Sequence, residues 1–140
     1  MKTVITKPLI QFTLIITLLS VVFRISMSSI LSDESWNYVY IPPLLYFVSM
    51  FITGRYFGKK EYEYLPINDV CFRFHLSTFF VFFLVSYSVF YLGLMSIYEP
   101  RIILDYTLLS WGVGLLIHLF LYLSSCKNSI KGLDKEDIFE

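Results

Sequence analysis

The sequence predicts an all-α membrane protein: four transmembrane helices in an antiparallel bundle, forming a single domain over residues 1–140. Three observations predict it. Residues 8–31, 38–57, 70–97 and 102–125 are apolar runs close to the ~20 residues that a helix needs to cross a bilayer. Hydrophobic residues make up 56 % of the chain and aromatics 19 %, and the mean hydropathy is +0.67, where a soluble domain of this length alternates polar and apolar faces more evenly. The Lys and Arg between the runs also fall almost wholly on one side. Lys2, Lys7, Arg55, Lys59, Lys60, Arg73, Lys127, Lys131 and Lys135 are nine of the eleven basic residues. The opposite side holds Asp33, Glu34, Glu99, Arg101 and Asp105. By the positive-inside rule both termini and the 58–69 link are cytoplasmic. The zero net charge therefore conceals two faces of opposite bias, and anionic lipids are the expected partner of the basic one, at ~1 kcal/mol per nearby cation.

The first run, from Leu9 to Phe23, is followed by Arg24 and a Ser-rich stretch. It has no small-residue cleavage site and is too long for a signal-peptide core, so it is expected to remain as a helix. In the second, Pro42-Pro43 stands at the helix entry, where a missing N–H costs little. Trp36, Tyr38 and Tyr40 at one end, and Tyr56, Tyr62 and Tyr64 at the other, occupy belt positions for amphipathic rings. The third and fourth runs enter on Val70 and Ile102. Residues 126–140 read as a polar, mixed-charge cytoplasmic tail whose Ile130, Leu133 and Phe139 either dock or stay solvated. Cys71 and Cys126 fall at cytoplasmic helix ends, where thiols stay reduced, and neither belongs to a Cys-x-x-Cys pair.

Polar residues inside the runs recur at helical spacing. Thr13, Thr17, Ser20, Arg24 and Ser28 share a face of the first helix. Tyr46, Ser49 and Thr53 share one on the second; His75, Thr78, Phe82, Ser86, Gly93 and Ser96 run along the third; Thr107, Ser110, Gly114 and His118 mark the fourth. Lipid cannot pair hydroxyls or charges, so these stripes are expected to turn inward, as packing glue or as the lining of a polar path. Arg24, ~10 Å inside the outer end of its helix, is the costliest residue to place there. Asp105 is its expected partner, with Asp33, Glu34 and Glu99 as rivals; binding of an anionic ligand is the alternative use. No cofactor is expected, but His75 and His118 fall at similar depth on neighbouring helices. That arrangement leaves open hydrogen-bonded core histidines, a protonation switch, or a b-type haem or metal.

Phe72-Arg73-Phe74-His75-Leu76, with an aromatic run behind it, and Trp111-Gly112-Val113-Gly114-Leu115-Leu116-Ile117-His118, followed by apolar residues and a basic tail, carry a family resemblance. Residues 70–135 resemble the bacterial 2TM family, a pair of membrane helices with a short link. Members often carry an Asn midway along the first helix, where this chain has Phe83. The resemblance implies a bacterial inner-membrane location and no established catalytic activity. The chain also shows no nucleophile–base pair, phosphate loop or intramembrane carboxylate dyad, so it is not expected to be an enzyme, and no nucleic-acid partner is indicated. Two functions are expected: a small non-catalytic scaffold, sensor or accessory subunit of a membrane assembly, or a small oligomeric channel or transporter with a Ser/Thr/Tyr-lined path. A carboxylate at mid-membrane would favour a pump, and all eleven acidic residues are expected in loops, tails or span ends. Homo-oligomerisation, or pairing with another membrane protein, is expected from Gly93, Ser110, Gly112 and Gly114, whose small surfaces let helices approach closely.

Overall fold

The computed structural model describes residues 5–64 and 70–131. They form four α-helices: α1 (Lys7–Ser32), α2 (Ile41–Tyr64), α3 (Val70–Tyr91) and α4 (Arg101–Lys131), with one 3-10 turn at Trp36–Tyr38. Three of these, over Lys7–Ser32, Phe72–Tyr91 and Arg101–Ser124, are long and apolar enough to cross a membrane. The expected span 38–57 starts in the 3-10 turn and continues in α2, which is not among them. Pro42, Pro43, Tyr46, Gly54 and Arg55 dilute its apolar run, and its last two turns are Gly58-Lys59-Lys60-Glu61-Tyr62-Glu63-Tyr64.

Local signals set the helix ends. Thr6 caps α1: its hydroxyl accepts the Leu9 N–H at 3.3 Å, and Pro8 follows in the first turn, where it displaces no helical hydrogen bond. The expected third span, 70–97, overruns α3. Gly93, at φ +70, lets its N–H reach Phe90 O while the Leu94 N–H reaches Val89 O, a paired closure that ends the helix at Tyr91. Gly93 is thus a terminator rather than a helix-contact residue, and Ser96 lies in the following loop. The α1 end has the same pair of bonds, Glu34 N–H to Leu31 O and Ser35 N–H to Ile30 O, with Glu34 at φ 54 in the position that usually goes to glycine. At the other extreme α4 runs on to Lys131, ~46 Å at ~1.5 Å per residue, so the first part of the expected tail is helix. Residues 1–4, 65–69 and 132–140, with Lys2, Leu133, Lys135 and Phe139, lie outside the described residues, as do the side chains of Tyr62, Tyr64, Cys71, Cys126, Lys127, Ile130 and Lys131.

Side-chain pairings fix the directions. Phe12 meets Phe57 (ring centroids 6.2 Å) and Ser20 meets Tyr46 (3.0 Å), so α1 and α2 are antiparallel. Phe12 meets Phe74 (4.5 Å) and Arg24 meets Ser86 (2.7 Å), so α1 and α3 run parallel. Phe72 stacks on Tyr122 (5.5 Å) and Tyr87 bonds Asp105 (2.6 Å), so α4 runs antiparallel to α3. Helix α1 sits between α2 and α3. It buries Phe12, Ile16, Ser20, Arg24 and Ser28, one residue every four, on the inner ridge.

The expected antiparallel four-helix bundle is therefore open. Helices α1 to α3 share a core of Leu9, Phe12, Ile16, Phe57 and Phe74, whereas α4 packs chiefly along α3, and Leu104 is its one buried hydrophobic among the described residues. Beside the Tyr87–Asp105 bond, its contact with α3 is largely aromatic: Trp111 lies against Phe82 (5.3 Å), Phe83 (5.7 Å) and Phe79 (6.0 Å). The outer faces of α1, α2 and α4 are apolar. Leu14 and Leu18, Phe47 and Phe51, Leu116 and Phe120 are each more than half exposed, a continuous apolar surface that fits a bilayer rather than water.

Candidate functional site

Two clusters of buried polar groups close the bundle at its opposite ends. Thr6 and Arg24 are ~27 Å apart along α1, close to the ~30 Å thickness of a hydrocarbon core.

The first cluster forms where α1 begins. Glu61 of α2 is 0 % exposed. The Thr6 hydroxyl lies 2.7 and 2.5 Å from its two carboxylate oxygens, and Arg73 Nη2 of α3 donates to Oε1 at 3.0 Å. Three helices thus meet on one carboxylate, and the hydroxyl that caps α1 is among its partners. This group is not among the residues that the sequence singles out. Glu61 falls in the expected cytoplasmic link 58–69, but α2 continues two turns beyond Arg55 and carries it onto the same face as Phe57, one turn earlier. A legible signal was present in Thr6-Lys7-Pro8, a cap followed by proline, which sets where α1 starts and so what faces its first turn.

The second cluster surrounds Arg24, which is 7 % exposed. Its Nε donates to Ser86 Oγ at 2.7 Å, its Nη1 to Glu99 Oε1 at 3.3 Å, and the guanidinium lies over the Phe82 ring at 4.8 Å. Ser86 in turn donates to Phe82 O. One turn along α1, Ser28 Oγ donates to Leu94 O and accepts the Ser96 N–H, which pins the 92–100 loop across the end of α1. The expected Arg24–Asp105 pair is not formed. Asp105 instead accepts a hydrogen bond from Tyr87 at 2.6 Å and pairs with Arg101, one turn away on its own helix, at 3.6 Å. The physical reason is the early end of α3. Once Gly93 terminates that helix, residues 94–99 fold back over α1 and deliver Glu99, one of the rivals, to the guanidinium first. Burial holds the Glu99 carboxyl above the ordinary carboxylate range, and the Arg24 charge pulls it back only in part.

The hydroxyl stripes turn inward in part. Ser20 is buried against Tyr46 OH, and Thr78 is buried. Thr13, Thr17, Thr53, Thr78 and Thr107 each donate to the backbone carbonyl four residues earlier, at 2.7–2.9 Å, which satisfies the hydroxyl within its own helix. In the lower half of α1 the inner ridge goes to Phe12 and Ile16, leaving Thr13 and Thr17 half-buried beside it. The α4 stripe departs most from expectation. Ser110 and Gly114 are exposed rather than inward, and a side chain at Gly114 would meet nothing within 4 Å. Gly112 instead faces α3, where an added Cβ would sit 3.9 Å from Phe79.

His75 and His118 do come together, with ring centroids 5.0 Å apart at 66°, and Phe72 lies edge-on to His118 at 5.8 Å. Among the described residues no third His, Cys, Asp or Glu joins them to make a metal-binding group. His75 is exposed on the side facing α2, where it borders a cavity of about 620 Å³ whose wall also includes Tyr46, Phe51, Phe74 and Trp111.

Comparison of the chain with protein-family models, with curated proteins and with solved structures gives no match.

Proposed function

We propose that this is a multi-pass protein of the bacterial inner membrane, with all four helices crossing and both termini cytoplasmic, that works without catalysis as a scaffold, sensor or accessory subunit of a membrane assembly. The observation that carries the proposal is the division of labour among the helices. Thr6, Ser20, Arg24, Glu61, Arg73 and Ser86 bond across α1 to α3 and hold those helices together, whereas α4, the longest helix, keeps most of its described surface uncovered. Tyr106, Leu109, Val113, Leu116, Phe120 and Leu123 of α4 are all exposed and recur at alternating three- and four-residue steps, the spacing of a left-handed helix seam. Ser110 and Gly114 lie alongside, a small-xxx-small pair of the kind that lets a second helix approach within a membrane. In this reading the face takes another copy of the chain or a partner membrane protein, and the α3–α4 hairpin is the 2TM-like unit.

Support for a fourth crossing comes from packing. Helix α2 lies antiparallel along α1 from the Ser20–Tyr46 contact to the Thr6–Glu61 contact, so over that ~21 Å it shares whatever layer α1 occupies. Charge asymmetry supports the orientation. A cysteine replacing Ser35 should react with an impermeant thiol reagent added outside intact cells, and one replacing Lys60 should react only after permeabilisation. The reverse pattern would invert the topology.

The alternative is an oligomeric channel with a Ser/Thr/Tyr-lined path. Threonines that donate to their own helix carbonyls have used their proton, and the buried cations are matched by Glu99 and Glu61; both features favour a structural use of these groups over a wet path. Purified protein reconstituted in liposomes should therefore pass no more monovalent ion than empty liposomes. Sustained flux that Ser110→Leu abolishes would replace the scaffold by the channel.

A further inference from the structure

We propose that the cavity between α2 and α4 is a binding site for one anionic phospholipid, taking an acyl chain along its length and the headgroup at the Arg55 end. The inference rests on the membrane-spanning reading above and adds a ligand to it.

Shape is the first argument. The cavity, about 620 Å³, is open along one side, walled by Phe47, Met50 and Phe51 of α2 and by Trp111 of α4, and floored by Phe12 and Phe74. Along α2 its lining runs from Tyr46 to Gly58, ~18 Å at ~1.5 Å per residue. One leaflet of a ~30 Å hydrocarbon core is ~15 Å deep, so the groove matches the depth of one leaflet rather than that of a whole crossing helix. Its width is kept by absent side chains. Gly54 and Gly58 both line it, and at either position an added Cβ meets nothing within 4 Å. Helix packing therefore does not demand these glycines, and what they preserve is the open space itself.

Charge is the second argument. The apolar walls end at one pole in Arg55 and His75, and Lys59 follows Arg55 one helical turn further out. Arg55 and Lys59 are exposed, and neither forms an ion pair among the described residues. This contrasts with Arg24, Arg73 and Arg101, each paired with a carboxylate. An unpaired guanidinium at the headgroup level, directly above a leaflet-deep apolar trough, fits a phosphate-bearing amphiphile in both charge and register. A second copy of the chain would fill the trough with side chains in place of an acyl chain, and that occupant is decided by the same experiment.

Trp111 reports on the site directly, because it lines the groove and the chain has only two tryptophans. In Trp36→Phe protein it becomes the sole indole emitter. Reconstitution is made into phosphatidylcholine vesicles containing a fixed fraction of phosphatidylglycerol, with brominated chains carried either by the phosphatidylglycerol or by the same fraction of the phosphatidylcholine. Brominated phosphatidylglycerol should quench Trp111 as though enriched roughly fivefold around it, the preference that one interfacial cation confers. Arg55→Gln should remove the difference between the two lipids, and Gly54→Leu, which fills the trough without a clash, should lower quenching by both. Equal quenching by the two lipids in unsubstituted protein would overturn the site while leaving the membrane reading intact. Quenching by neither lipid, with Gly54→Leu changing the particle mass, would assign the groove to a second copy. Quenching by neither lipid without a mass change would overturn the membrane placement of α4 and the site with it.

Discussion

Glu99→Leu is expected to destabilise the protein more than Arg24→Leu, and the double substitution less than the sum of the two. Breaking a buried ion pair from one side costs ~3–5 kcal/mol because the remaining charge is stranded. The two members are not equivalent. A guanidinium keeps its proton under all usable conditions, so without Glu99 the Arg24 charge stays, sheltered only by Ser86 and the Phe82 ring. Without Arg24, the Glu99 carboxyl takes up a proton, a form that burial already favours. Thermal unfolding in mild detergent should place Glu99→Leu at the upper end of that range and Arg24→Leu at the lower end. A positive coupling in the double-mutant cycle is the signature of the pair. Asp105→Leu should cost ~1 kcal/mol, the loss of its bond from Tyr87, and should add independently to Arg24→Leu. Coupling between Arg24 and Asp105 instead would restore the pairing read from the sequence.

The same carboxyl gives a pH dependence with a definite sign. A group whose folded-state pKa lies above its unfolded value contributes stability that is fully present below the unfolded pKa and is lost as pH rises through the folded one. Burial raises Glu99, so its contribution should grow on acidification from neutrality toward the ordinary carboxylate range. Glu99→Gln should flatten that limb of the melting curve against pH.

The second large effect is expected at Glu61, a position with no prominence in the sequence. Glu61→Ala removes the acceptor shared by Thr6 and Arg73 from a site that is 0 % exposed. It opens a void where three helices meet, and the loss should again be ~3–5 kcal/mol. Glu61→Gln keeps the shape and one acceptor for Thr6, and it should recover part of the loss. Glu63→Ala, two positions along the same helix, provides the comparison for any general effect of removing a carboxylate from this segment. If the Glu61 and Glu63 substitutions melt together, the α1–α2–α3 junction does not depend on Glu61.

Much of the fold was legible because apolar length and loop charge are one-dimensional signals. The four helices appear in order, three are long and apolar enough to span, and Ser20, Arg24 and Ser28 share the buried face of α1. The adjacency of His75 and His118 was legible too, since it needs only an antiparallel hairpin and equal depth. What escaped depends on where helices stop. Assigning 92–97 to α3 hid the loop that carries Glu99 to Arg24, although Gly93 and Pro100 marked that loop. Ending the second apolar run at 57 hid the last turns of α2 and with them Glu61. The inward placement of Ser110 and Gly114 failed for another reason: small and polar residues on a helix mark an interface, but they do not say whether the interface lies within the chain or between chains.

That last distinction is the centre of the proposed function, and the mass of the protein in mild detergent tests it most directly. With detergent subtracted, the particle should be defined and larger than one 16.5 kDa chain, and Gly114→Leu should reduce it toward a single chain without lowering helix content. A wild-type particle of one chain, unchanged by Gly114→Leu and joined by no partner on extraction from its own membrane, would contradict it.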